Sequence, residues 1–151
     1  MESRPIGGYG VLMGAFGVLF GGALAGLSHA HLLEKRKSVG ELALLAVATH
    51  KLTRILTLDF VTMPLRAPFV TYEGSAGAGE VEEKSKGTGL RKAVGDLVTC
   101  PFCSGPWVAS ALLAASFVRP RATRFLTTML ALTTASDFLH HLYRHAKKGC
   151  D

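Results

Sequence analysis

From Gly7 to Leu33 the chain carries no Asp, Glu, Lys or Arg, and that single run limits the fold more than any other feature. A helix needs about 20 mostly apolar residues to cross the hydrocarbon of a bilayer, and this stretch supplies them. Tyr9 stands near one end, His29 and His31 near the other. The segment before it is short and the apolar stretch long, so it reads as a membrane helix ahead of a cleaved signal. Gly10, Gly14, Gly17, Gly21, Gly22 and Gly26 repeat a small-xxx-small spacing that lets helices pack closely. The ordinary small-residue content of a membrane helix gives the same pattern.

The remaining apolar residues also come in blocks, separated by charged, Gly-rich or Pro-containing connectors. A water-soluble bundle would instead repeat apolar residues every three or four positions with charges between. With 48% hydrophobic residues against 19% charged ones, the block pattern predicts an all-α polytopic membrane protein of one domain, residues 1–151. About four transmembrane helices are expected, over 7–33, 39–60, 101–118 and 124–143. Leu90, Ala93, Val94, Leu97 and Val98 recur at helical spacing opposite Arg91, Lys92 and Asp96, which predicts an amphipathic interfacial helix over 90–98. In the loop 61–89, Phe69 to Tyr72 and Glu80 to Glu83 flank a Gly-rich turn. They read as a small β-hairpin or as a solvated loop.

The second block is the unusual one. His50, Lys51 and Arg54 follow a purely apolar half, and charges in hydrocarbon cost about 2.5–3.5 kcal/mol each. Either these residues anchor a helix end at the interface, or Arg54 is buried in a polar network with Asp59, Asp96 or Asp137, to which Arg66 belongs. Glu82-Glu83 read as part of a flexible, solvated run. The net charge of +6 does not indicate nucleic acid, because Lys and Arg gather at block ends without an interleaved aromatic stripe. The expected partners are membrane lipids and other membrane proteins or a second copy.

Four antiparallel spans would put the N-terminus, the loop 60–99 and the C-terminal tail on one side. Cys100, Cys103, His141 and His145 would then share a compartment. Cys100-Pro101-Phe102-Cys103 opens the third helix, where the N-terminal N–H groups favour a thiolate, so a dithiol redox site is one reading. Half of a zinc set completed by His141 and His145 is another, making zinc the one candidate cofactor. A tight helix-entry turn of small residues is the third. Cys150, the odd thiol, ends the basic tail. Free paired thiols persist in the cytoplasm, which places the cysteine face and both termini there. There is no Ser-His-Asp pattern, phosphate-cradling Gly loop or HExxH motif, so no catalytic residue is assigned.

Leu52-Thr53-Arg54, Asp59, Pro64 and Arg66, followed by Cys100-Pro101-Phe102-Cys103 and Trp107, resemble an uncharacterised bacterial family of small membrane proteins, domain of unknown function 1360. The likeness runs from about Glu41 to Tyr143 and leaves out the Gly-rich first helix. It implies an integral protein of the bacterial inner membrane, a link of some members with sporulation, and no established activity. The leading expectation is therefore a non-enzymatic accessory or scaffold subunit of a membrane assembly. A thiol–disulfide or zinc site at Cys100/Cys103 is the alternative, and a holin-like permeabiliser the second.

Overall fold

The computed structural model describes residues 5–34 and 36–148; Arg4, Lys35 and Cys150 lie outside the described residues. Helix α1 spans Ile6–His29. The uncharged run does not continue as one helix to Leu33, because His31 takes a positive φ and a single turn, Leu32–Glu34, folds the chain back. Helix α2, Val39–Thr57, starts on a capping box: the Ser38 hydroxyl accepts from the Glu41 N–H at 3.2 Å, and Glu41 accepts from the Ser38 N–H at 3.0 Å. The Ser38 N–H, as the largest cause, holds the Glu41 carboxyl below its ordinary range. Its contribution is thus present above the unfolded carboxylate pKa and lost as pH falls through the depressed one. Ser38→Ala is expected to lower stability by about 1 kcal/mol, read as a drop in the denaturation midpoint. An unchanged midpoint would mean that the cap is idle.

After α2 come a turn at Phe60–Thr62 and a one-turn helix α3, Met63–Arg66. The hairpin is present and longer than expected: β1, Val70–Gly77, pairs antiparallel with β2, Glu80–Ser85. Gly77, Ala78 and Gly79 all take positive φ in its turn, a conformation glycine adopts without strain. Helix α4, Gly89–Val98, leads into α5, Pro101–Val118, and α6, Pro120–Lys148, follows at once. Pro101 and Pro120 sit at helix starts, where a missing N–H costs nothing.

Helices α2, α5 and α6 share the small core of Ala48, Val108, Leu112 and Leu130, lined by Leu45, Leu52 and Ile55. At one end of this bundle Lys37 reaches the Ser116 carbonyl at 2.9 Å and lies over the Phe117 ring. Helix α1 joins through its N-terminal end and the edge-on contact of Phe16 with Trp107. Helix α4 covers the expected 90–98 and starts one residue earlier. It is clamped between α1, β2 and α5, with Ala93 and Gly95 buried.

The four-span fold is corrected here. Among the described residues two helices, α1 and α5, are long and apolar enough to cross a membrane. Helix α2 carries Glu41, Lys51 and Arg54 within 19 residues. Helix α6 carries Arg121, Arg124, Asp137 and Arg144 among threonines and histidines. With the four spans goes the argument that put the N-terminus, the loop 60–99 and the tail on one membrane side. The architecture is a helical body with a two-stranded sheet, not an all-α membrane bundle.

Candidate functional site

The last carbonyls of a helix have no partner within it, and the segment just after α2 lies against the turn end of the hairpin. Leu58 N–H takes the Arg54 carbonyl, and the Thr62 hydroxyl donates to the Ile55 carbonyl. Arg66 takes the next one. Its Nη1 donates to the Leu56 carbonyl at 2.8 Å and to Thr62 Oγ1 at 2.6 Å, and its Nη2 donates to the Asp59 carbonyl at 3.0 Å. Its Nε donates to Glu83 Oε2 at 2.5 Å. Both side chains of this pair are 2% exposed. A guanidinium is suited to this place because it offers five donors in a rigid fork and its charge complements the helix C-terminus. The backbone joins in: Val81 N–H donates to the Leu58 carbonyl at 2.9 Å, and Phe60 N–H to the Gly79 carbonyl at 3.0 Å.

Arg54 pairs with Glu80 of the hairpin, and Lys51 Nζ donates to Asp137 Oδ2 at 2.7 Å across to α6. Asp96 on α4 accepts from Tyr9 at 2.6 Å and from Ser85 at 2.6 Å, tying α1 and β2 together. These contacts are separate pairs, and of the residues expected together Arg66 and Asp59 meet, through the Asp59 carbonyl. Arg54 meets none of Asp59, Asp96 and Asp137; Lys51 takes Asp137. Glu83, read as solvated, is buried. The signal for it was strand alternation: Val81 is buried, and in a strand residue 83 shares its face.

Cys100 and Cys103 are joined in a disulfide at the start of α5, with Cα atoms 5.2 Å apart. The Cys103 N–H donates to the Cys100 sulfur at 3.2 Å. This removes the free-thiol ground for a cytoplasmic cysteine face. Zinc needs thiolates, and Cys103 lines a cleft of about 470 Å³ with Tyr9, Asp96 and Trp107, whereas His141 lines another recess with Lys51 and Arg54. Among the described residues no group of three or more His, Cys, Asp or Glu is placed to hold a metal. Alkylation of purified protein before reduction is expected to spare both cysteines, read by peptide mass; two alkylated thiols would contradict the disulfide.

Fold and site together define a class: a small helical protein with two apolar helices and a hairpin stapled to its bundle by buried arginine. The chain belongs to the family described as protein of unknown function (DUF1360), whose model matches residues 44–143. A curated relative, the sporulation protein YjcA of Bacillus subtilis (strain 168), is 33% identical over 104 residues, 67% of this chain and 88% of the relative. No solved structure matches. The family match contains the arginine staple, the disulfide and most of α2 and α6, ending one residue before Arg144, while α1 lies outside it.

Proposed function

We propose that this chain is a non-enzymatic scaffold seated in a bacterial membrane through α1 and α5, presenting the stapled hairpin end to a partner. The observation that carries it is the surface of α1. Met13 is 76% exposed, Val18 75% and Leu19 64%, and Gly8 and Leu27 are the helix's buried residues. An uncharged helix of 24 residues left so bare calls for lipid or protein around it. Phe125, Leu132, Phe138 and Leu142 extend the apolar surface along α6. The curated relative's name, a sporulation protein, supports a role in a spore-forming cell.

Alkaline carbonate washing of membranes from cells making the full chain tests the seating. Retention in the pellet is expected, and release into the supernatant would sink the reading. Gentle crosslinking tests the scaffold role, with a recovered partner expected and a lone monomer counting against it. A thiol-exchange role is the second reading, favoured by the exposed side of Cys103 in its disulfide. A Cys100→Ser/Cys103→Ser variant that behaves as the native protein would remove it.

A further inference from the structure

Beside the arginine staple, a recess of about 640 Å³ opens between the ends of α2 and α6 and the turn of the hairpin. Two of its cations are spent: Lys51 on Asp137 and Arg54 on Glu80. Arg144, His140 and His141 line the same recess from α6 and have no hydrogen bond or ion pair among the described residues. Asp59 lines it too. It stands just before the Phe60–Thr62 turn, yet its carboxylate makes no capping bond and, among the described residues, no ion pair. Phe60 and Val61 add exposed apolar surface, at 59% and 76%.

The recess thus holds unspent charges of both signs that do not neutralise one another. A divalent cation would find a single unspent carboxylate, Asp59, opposed by the unspent Arg144 guanidinium. A bare phosphate would be drawn by Arg144 and the imidazoles but would leave the Asp59 carboxylate repelling it. A ligand carrying both charges answers both. We propose that this recess binds a phosphoester bearing a primary amine, the phosphate oxygens on Arg144, His140 and His141 and the ammonium on Asp59. Arginine offers its paired donors to phosphate oxygens, and an ammonium offers three N–H donors to a carboxylate. An aminophospholipid headgroup and a free small ester share this chemistry. Phe60 and Val61 give the lipid a rim for its glycerol and acyl chains. The lipid source rests on the membrane seating proposed above; the recess itself does not.

The test is calorimetric titration of the full chain in detergent with glycerophosphoethanolamine, its trimethylated counterpart glycerophosphocholine, and glycerol phosphate. The trimethylated amine keeps its charge but loses its N–H donors. The primary amine is expected to bind about fivefold tighter than glycerol phosphate, which lacks the charge contact with Asp59, and at least about fivefold tighter than glycerophosphocholine, which lacks the N–H donors to that carboxylate. Asp59→Asn should erase that preference, and Arg144→Gln should weaken all three esters by about fivefold. Both side chains lack partners among the described residues, so neither change should alter the melt. Equal affinity for the first two esters, or a preference that survives Asp59→Asn, would overturn the proposal. Native mass spectrometry from nanodiscs of mixed phosphatidylethanolamine and phosphatidylcholine separates the sources. Retained ethanolamine lipid, lost in Asp59→Asn, supports the lipid. Binding of the soluble ester without retained lipid supports the free ester. A protein released by carbonate that still binds the ester would fail the seating alone.

Discussion

Replacing Arg66 with alanine is expected to release the hairpin and destabilise the protein by about 3–5 kcal/mol, the scale of breaking a buried ion pair from one side. The loss has three parts. Glu83 is left as an uncompensated buried charge, since its other carboxylate oxygen already has no partner among the described residues. The Leu56 and Asp59 carbonyls lose their donors, and the end of α2 loses the cation facing its dipole. Hydrogen exchange at the Val81 and Phe60 amides, which hold the hairpin to the segment after α2, would report the release locally. An Arg66→Met/Glu83→Leu double variant should recover only part of the stability. It removes the orphaned charge but leaves the two carbonyls unsatisfied. Native-like exchange at Val81 in Arg66→Ala would refute the staple.

The same substitution at two glycines of α1 is expected to act in opposite directions. A Cβ at Gly8 would lie 2.8 Å from the Ala93 Cβ and 2.8 Å from the Gly89 carbonyl oxygen. The carbonyl belongs to the backbone and cannot swing away, so Gly8→Ala should cost about 1–3 kcal/mol and lift α1 off α4. Loss of the Tyr9–Asp96 bond and of the Phe16 contact with Trp107 would follow, the latter visible in tryptophan fluorescence. At Gly14 a Cβ meets nothing within 4 Å. Gly14→Ala should therefore leave the fold intact, with a gain of at most about 1 kcal/mol in helix propensity. Gly10, Gly17, Gly21, Gly22 and Gly26 are equally open. If Gly14→Ala shifts the oligomeric state without changing the monomer, that row packs against another chain. If both variants behave alike, the contact of α1 with α4 is wrong.

What could be read directly was local. An uncharged run makes α1 apolar wherever it lies, and Pro101 with Arg119-Pro120 brackets α5 at its observed bounds. Val70 and Val81, either side of a glycine turn, were enough to suggest the hairpin. Each of these depends on residues close in the chain, where propensity and periodicity act. The apolar halves of α2 and α6 suggest spans when each helix is taken alone, and among the described residues two helices, α1 and α5, are apolar enough to cross. The polar residues of α2 and α6 serve one another in the fold, Lys51 with Asp137 across the bundle.

Pairing was the part that only tertiary structure could decide. The sequence contains several carboxylates within plausible reach of Arg54 and Arg66, and electrostatics alone does not rank them. The folded chain ranks them by geometry. The hairpin docks on the end of α2 through backbone bonds, which brings Glu80 and Glu83 to the arginines and turns Asp59 away into the recess. Cys103 and His141, compatible as ligands by type, line different clefts because α5 starts beside α1 while the end of α6 lies beside α2 and the hairpin turn. Residue chemistry determined which groups needed partners; the packing of distant elements determined which partners they met.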